Sequence, residues 1–130
     1  MLEKELERNL RYYVETGLGG RCMKWVSPGN RGVPDRIVLL PGGRVAFIEM
    51  KRPGGRVDPL QEYWHKQLRS LGYPVYVIYT LDDLLSVLRA LKHLEPPDAR
   101  ELMQARKALD ETTAELRYWR SEYNRLAAKE

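Results

Sequence analysis

The stretch that most constrains the fold is GVPDRIVLLPGGRVAFIEMK, residues 32–51, which has the pattern of a β-hairpin. Two apolar runs flank a Pro-Gly-Gly turn, and several of their residues are β-branched. The arms, about 36–40 and 44–51, are apolar on both faces, as is typical of central strands covered on both sides. We therefore expect this hairpin near the centre of a sheet that is buried between helices.

The period of the apolar residues predicts the elements around the hairpin. They are an amphipathic helix at about 2–16, a strand in RCMKWV, a helix at 60–71, a strand in VYVIY and a helix from residue 81. The order α-β-β-β-α-β-α predicts an α/β fold with a mixed central sheet flanked by helices. The second hairpin arm, the helix at 60–71 and VYVIY should form a parallel strand-helix-strand unit.

Two details of the helices can be predicted from residue spacing. Thr80 and Asp83 have the spacing of a capping box at the start of the third helix. Trp64, Leu68 and Leu71 are expected on the inner face of the second helix.

The composition changes after EPPD, which divides the chain into a predicted domain at 1–94 and a long C-terminal helix at 95–130. Apolar residues recur every seven positions in this tail, which indicates a coiled coil or a long packed helix. The helix could instead lie back on the domain. The two heptad positions hold Leu102, Leu109, Leu116 and Tyr123, and Ala105, Thr112, Trp119 and Leu126.

The charge of the chain suggests an anionic partner. Residues 1–94 hold 15 Lys and Arg against 10 Asp and Glu, whereas residues 95–130 hold 7 against 8. A basic body favours nucleic acid over a membrane as partner. The charged N-terminus argues against a signal peptide, and no window approaches the roughly 20 apolar residues of a membrane span. With one cysteine, Cys22, expected to be a buried thiol, a cytoplasmic protein is predicted.

Two carboxylates are predicted to face each other across the hairpin. If the turn is PGG, Leu40 pairs with Arg44 and Asp35 lies opposite Glu49, while alternation places Lys51 on the same face. Opposed like charges destabilise a strand pair unless something compensates. Lys51 offsets part of the repulsion, and a divalent cation would offset more.

Two alternatives to this site remain open from the residues alone. The carboxylates could form an ordinary strand-end salt bridge with Lys51. A two-residue turn at Gly42 and Gly43 would oppose Asp35 to Met50, and the facing carboxylates would be lost.

Basic residues on the neighbouring loops are candidates for phosphate contacts. A metal-carboxylate site ringed by cations suits phosphodiester hydrolysis. Without zinc-finger spacing or a base-reading helix, recognition would depend on phosphates and DNA shape. The candidates are Arg31, Arg36, Arg52 and Arg56, with Lys24 and Arg44 as weaker ones.

These motifs carry a resemblance to a known family. GVPD, followed fourteen residues after its Asp by EMK, resembles the PD-(D/E)XK nuclease superfamily, and the further details resemble its VRR-NUC (virus-type replication-repair nuclease) family. The resemblance covers about residues 3–83, through EKELERNL, SPGNRGVPDRIVLLPGGRVAFIEMKRPGG, PLQEYWHKQLRSLGYPVYVI and LDDL. It implies a restriction-endonuclease-like core and a metal-dependent DNA endonuclease.

The resemblance also implies roles for individual residues. Asp35 and Glu49 would bind Mg²⁺ or Mn²⁺, with the backbone carbonyl of Met50 as a further ligand. Lys51 would be the catalytic lysine. Gln61 matches the family's glutamine, which is expected to help order the lysine or a metal-bound water.

The first helix is expected to supply a glutamate that reaches the metal through water. Glu7 is preferred and Glu3 also fits the pattern, although either could be a solvated charge on the helix face. His65 is predicted to be a surface histidine, with a phosphate contact as its alternative, and neither it nor His93 indicates a zinc site.

The resemblance implies a homodimer acting on branched DNA in the manner of Holliday-junction resolvases, in a DNA-repair setting. Minimal proteins of this family are typically viral, so a phage, prophage or bacterial protein in the host cytoplasm is expected. The alternatives are a nicking or flap nuclease on simpler DNA, and a non-catalytic DNA-binding module that recruits partners through the tail.

Overall fold

The computed structural model describes residues 2–129, and within this range it describes the side chains of all residues except 99–102. The chain divides into two compact units, one ending at Pro96 and the other beginning at Pro97. Leu102, the first residue of the predicted heptads, has a side chain that lies outside the described residues. Over the described range, no helix is both long and apolar enough to cross a membrane.

The unit ending at Pro96 is built around one sheet of strand order β1-β2-β3-β4. The first three strands are antiparallel, and β4 runs parallel to β3, so the predicted mixed sheet is confirmed. The elements are α1 (Glu3–Gly17), β1 (Arg21–Lys24), β2 (Arg36–Leu40), β3 (Arg44–Met50), α2 (Pro59–Ser70), β4 (Val75–Ile78) and α3 (Leu81–Lys92).

The turn between β2 and β3 has three residues, as predicted. Leu40 pairs with Arg44, and the register continues to the pair of Arg36 and Ile48. Gly42 and Gly43 have φ angles of 83° and 74°, a region that glycine enters without steric cost. One further step of the same register places Asp35, just before β2, opposite the position of Glu49.

Alternation along β2 and β3 divides the core into two layers. On one face, strand residues such as Val38 and Ile48 pack with apolar side chains of α1 and α3. On the other face, Phe47 packs with Leu68 of α2 and Val75 of β4. The prediction of strands covered on both sides therefore holds for most of the hairpin, with Leu39 an exception at 40% exposed.

The inner face of α2 differs from the prediction. Leu68 is buried, but Leu71 is the residue that ends the helix, and it is 71% exposed. His65 lies in the core instead at 3% exposed, so the prediction of a surface histidine is wrong. His65 and Leu68 are three residues apart and lie on one side of the helix, which fixes the buried stripe.

Two polar residues tie the elements together. Arg44, a weak candidate for a DNA contact, instead donates hydrogen bonds to the carbonyls of Pro41, Leu91 and Leu94 and so joins the hairpin turn to the end of α3. The predicted capping box is confirmed, since the backbone N–H of Asp83 donates to the Thr80 hydroxyl.

The second unit contains α4 (Ala99–Ala127), a helix of 29 residues, which confirms the predicted long C-terminal helix. Among its described side chains, all are exposed except that of Glu122, which is half-buried. The leucines and aromatic residues of the predicted heptads are among the exposed ones.

Candidate active site

Asp35 lies at the start of β2 and is held by both neighbouring strands. Its backbone carbonyl accepts a hydrogen bond from the N–H of Trp25 at 2.9 Å. Its Oδ2 accepts one from the N–H of Met50 at 2.7 Å, at the end of β3. These two bonds fix the position of Asp35 and the orientation of its carboxylate.

Glu49 is almost entirely buried, with 2% of the residue exposed. Its Oε1 accepts a hydrogen bond from the side-chain amide of Gln61 at 3.0 Å and lies 3.9 Å from Lys51 Nζ. Its Oε2 is buried and has no hydrogen-bond partner among the described residues. The strand-end salt bridge with Lys51 therefore exists but satisfies only one of the two oxygens, and at a long distance.

The surroundings of Glu49 disfavour its charged form. Burial, as the larger cause, and the negative charge of Asp35 together raise the pKa of Glu49 to about 8, while the positive charge of Lys51 opposes this rise. A buried carboxylate with one unsatisfied oxygen lowers the stability of the fold. A residue with a purely structural role would not need to lower it. Such a perturbed acid in a cluster of charged groups is characteristic of a functional site.

Gln61 reaches Glu49 because it occupies the third position of α2. Its N–H donates to the side chain of Asp58 at 2.9 Å, and its side-chain oxygen accepts from the N–H of Asp58 at 3.0 Å. This capping box fixes the amide so that its NH₂ group points to Glu49. The helix start thus positions the amide on the same face of the sheet as the carboxylate.

The loop before Asp35 is packed against the same helix. The backbone carbonyl of Arg31 accepts a hydrogen bond from the indole N–H of Trp64 at 2.9 Å. Gly32 has a φ of 92°, and a Cβ on it would lie 2.9 Å from the backbone carbon of Leu60. These contacts, which sequence reasoning missed, let α2 hold both the loop that carries Asp35 and the side chain of Glu49.

Lys51 follows the end of β3, and its backbone is fixed by the parallel neighbour strand. Its N–H donates to the carbonyl of Ile78 at 2.9 Å. Its side chain is 20% exposed, so the ammonium group is partly shielded while still open to a ligand. The structure thus brings Asp35, Glu49, Lys51 and Gln61 together, as the sequence predicts.

Glu7 and Arg36 form an ion pair close to this cluster. Arg36 Nε donates to Glu7 Oε1 at 2.8 Å, and Arg36 Nη1 donates to the carbonyl of Cys22 at 3.3 Å. Arg36 is only 7% exposed, because alternation turns it away from the face of Asp35 and toward α1. Glu3, Glu7 and Asp35 nevertheless line one surface pocket.

Arg36 is predicted to contact a phosphate, but in the structure it is buried. Its guanidinium is directed to protein groups, whereas the other three arginines of that prediction are exposed on loops. Those exposed residues are Arg31, Arg52 and Arg56.

His65 lies one turn after Gln61 and is buried with its Nε2 unpartnered among the described residues. Burial lowers the pKa of His65, and the charge of Arg69 contributes in the same direction. The i, i+4 relation to Gln61 was the one signal in the sequence that could have placed it on this side of α2.

The donor set of the cluster fits a hard divalent cation. Within residues 2–129, no group of three or more His, Cys, Asp and Glu side chains is placed to hold a metal ion. Mg²⁺ does not require such a cage, since it is commonly bound by one or two carboxylates together with water and substrate phosphates. The unpartnered Oε2 of Glu49 beside Asp35 is a free oxygen of the required kind.

Comparisons with known proteins agree with the fold. The family model of the VRR-NUC domain matches residues 7–81. A protein of Acyrthosiphon pisum secondary endosymbiont phage 1, named "Putative nuclease p44", is 44% identical over 89 residues, which cover 68% of this chain and 94% of that protein. A solved structure described as "VRR_NUC domain" superposes with a TM-score of 0.62 at 28% identity, covering 72% of this chain and 97% of that one. The chain therefore belongs to the VRR-NUC family of nuclease domains.

Proposed function

We propose that this protein is a Mg²⁺- or Mn²⁺-dependent DNA endonuclease that is selective for branched DNA and works as a homodimer. The nuclease domain supports hydrolysis of phosphodiester bonds in general, and the phage relative supports a role in a phage-infected or prophage-carrying cell, in the host cytoplasm. Residues 1–94 would carry the chemistry and residues 95–130 would serve assembly.

The observation that carries this proposal is the state of Glu49. Its Oε2 is buried without a partner, next to a second carboxylate, and its pKa is raised to about 8. At neutral pH either a proton or a cation would relieve this unfavourable negative charge. A divalent cation supplies the larger compensation, since it neutralises both carboxylates together.

The cation would be held by Asp35 and Glu49, with the carbonyl of Met50 as a further ligand, and it would stabilise the negative charge that develops on the phosphate during hydrolysis. Lys51 would place its ammonium group against the attacking water or a phosphate oxygen. Gln61 would hold Glu49 in position through the 3.0 Å hydrogen bond. Glu7, which shares a surface pocket with Asp35, would order solvent at the site.

DNA would be bound mainly through its phosphates. Arg31, Arg52 and Arg56 are exposed on the two loops adjacent to Asp35 and Lys51. Contacts of this kind position the backbone without reading bases, so selectivity would come from DNA shape.

A cleavage assay with defined DNA structures tests the proposal. Labelled linear duplex, flap and four-way junction would be incubated with the protein in Mg²⁺, Mn²⁺ or EDTA, alongside Asp35→Asn and Lys51→Ala. We expect metal-dependent cutting of the junction, reduced by at least about a hundredfold in both variants.

The other outcomes discriminate between the alternatives. Faster cutting of flaps or linear duplex than of junctions would favour a flap or nicking nuclease. Binding of DNA without cutting in any metal would contradict the enzyme and favour a non-catalytic DNA-binding module.

A further inference from the structure

The exposed apolar stripe of α4 is a feature that the candidate active site does not use. Leu109 and Leu116 are each 64% exposed, and Trp119, Tyr123 and Leu126 are all more than half exposed. They recur at the a and d positions of a heptad, one side of a helix of 29 residues. A stripe of this length marks an interaction surface, because soluble proteins rarely leave one uncovered.

The charges beside the stripe identify its occupant and orientation. With Leu109 and Leu116 at position a, Glu115 takes position g and Arg120 takes position e. In a parallel pair, position g of one helix faces position e of the next heptad of its partner, so Glu115 meets Arg120 of the second copy. The sequence repeats this arrangement two heptads earlier, with Glu at 101 and Arg at 106.

An antiparallel pair would reverse this match. Position g would then face g, and e would face e, which opposes glutamate to glutamate and arginine to arginine. Like charges at these positions disfavour that pairing.

Thr112, the one polar residue at a described d position, is compatible with an interface between two helices. The hydroxyl of Thr112 donates to the carbonyl of Ala108 within the same helix at 3.0 Å. Its hydrogen-bonding demand is therefore met before association, and its methyl group can face the partner helix.

We propose that α4 forms a parallel, in-register, two-stranded coiled coil with a second copy of this chain. Both helices of such a pair begin at the same end, so the two nuclease units, each ending at Pro96, are attached at that end. This assembly is inferred from α4 alone and does not depend on the nuclease function. Its use, which depends on the proposed nuclease function, is to raise the effective concentration of the second active site at a two-fold symmetric DNA junction.

Sedimentation of the full chain tests the interface. We expect a dimer in the wild type and a monomer in Leu109→Asp/Leu116→Asp, with unchanged melting of the nuclease unit. A wild-type monomer, or a dimer that survives this double change, would overturn the proposal.

Charge reversal tests the pairing of g with e. Glu115→Arg should weaken dimerisation about tenfold, and Glu115→Arg/Arg120→Glu should restore it. Glu111→Arg, one turn earlier at position c, is the matched control and should leave dimerisation unchanged. Equal effects of the two single reversals would contradict the assigned heptad.

Cysteine cross-linking tests the orientation. Leu126→Cys should form an interchain disulfide readily under mild oxidation, whereas Ser121→Cys at the outer position f should not. Native Cys22 is 2% exposed and does not compete. A mixture of Ala105→Cys and Leu126→Cys chains that cross-linked to each other in preference to themselves would show an antiparallel pair and overturn the proposal.

These outcomes separate the assembly from the chemistry. A coiled-coil dimer that cuts no DNA supports the assembly while contradicting the proposed function. Junction cutting by a full-length monomer would support the nuclease activity while contradicting the coiled coil.

Discussion

The side-chain amide of Gln61 donates to Glu49 Oε1 at 3.0 Å, while the oxygen of the same amide closes the N-terminal cap of α2. One side chain therefore belongs to both the helix start and the candidate site. Any variant of Gln61 changes the stability of the helix and the position of the carboxylate together, so a variant that changes only one of them is needed for comparison.

Gln61→Ala should lower kcat by at least about tenfold and the free energy of unfolding by about 1 kcal/mol. The matched control is Asp58→Ala, which removes the carboxylate that accepts the Gln61 N–H but keeps the Asp58 N–H that holds the Gln61 oxygen. It should cost a similar stability and leave kcat nearly unchanged. Equal losses of kcat in both variants, measured at matched folded fractions, would show that the cap rather than the Glu49 contact matters.

Metal-free protein should lose stability as pH rises. The pKa of Glu49 is about 8 in the folded state, above its ordinary value of 4.5. Between these values the folded protein binds the extra proton, so the free energy of unfolding falls as pH increases from 4.5 toward 8. Urea denaturation in EDTA should show a decline of about 2 to 4 kcal/mol from this group.

Glu49→Gln should remove most of that decline and stabilise the metal-free protein at pH 8, while abolishing cleavage. Mg²⁺ should stabilise the wild type at pH 8 and not the variant. Exposed Glu62→Gln, which also removes one carboxylate, serves as the control and should keep both cleavage and the stabilisation by Mg²⁺. A profile for Glu49→Gln that matched the wild type would contradict the raised pKa.

His65 should produce the opposite slope at lower pH. Its folded pKa is lowered by burial, so below the ordinary value near 6.5 the unfolded chain binds more protons and stability falls as pH decreases. His65→Leu should flatten the part of the stability profile below pH 6.5, measured by urea denaturation in steps of pH. An unchanged profile below pH 6.5 in His65→Leu would contradict the lowered pKa of His65.

Gly32→Ala should destabilise the protein by about 2 to 3 kcal/mol and reduce cleavage, because the new Cβ would press on the backbone of Leu60. Gly29→Ala is the matched control from the same loop. Its φ of 81° carries the same backbone strain, but its Cβ would meet no atom within 4 Å. A similar loss in the two variants, measured by thermal melting, would show that strain alone matters.

The ion pair of Arg36 and Glu7 should stabilise the fold. Arg36→Met and Glu7→Gln should each cost about 2 kcal/mol, with a coupling of about 1 kcal/mol in the double variant. Arg11→Met, in the exposed pair with Glu15, should change little. If Glu7 also orders solvent at the site, Glu7→Gln should lower kcat at least about tenfold more than Arg36→Met does at matched folded fractions.

Local sequence patterns were sufficient to predict the features that depend on neighbours along the chain. The three-residue turn sets the hairpin register, and extending this register by one position brings Asp35 opposite Glu49. Alternation then assigns Lys51 to the same face. The capping box of Thr80 and Asp83, the order of helices and strands, and the family motif are equally local, because turn chemistry and residue period act over only a few residues.

Which charged side chains are exposed and which are buried became clear from the packing of distant segments. Arg36 and Arg52 look alike in the sequence, yet one is buried against Glu7 and the other is exposed on a loop. His65 replaced Leu71 in the core, and Gly32 proved to touch Leu60, through contacts between segments far apart in the chain. Burial and partner choice depend on how layers pack, which no local pattern records, and the raised pKa of Glu49 follows from that packing.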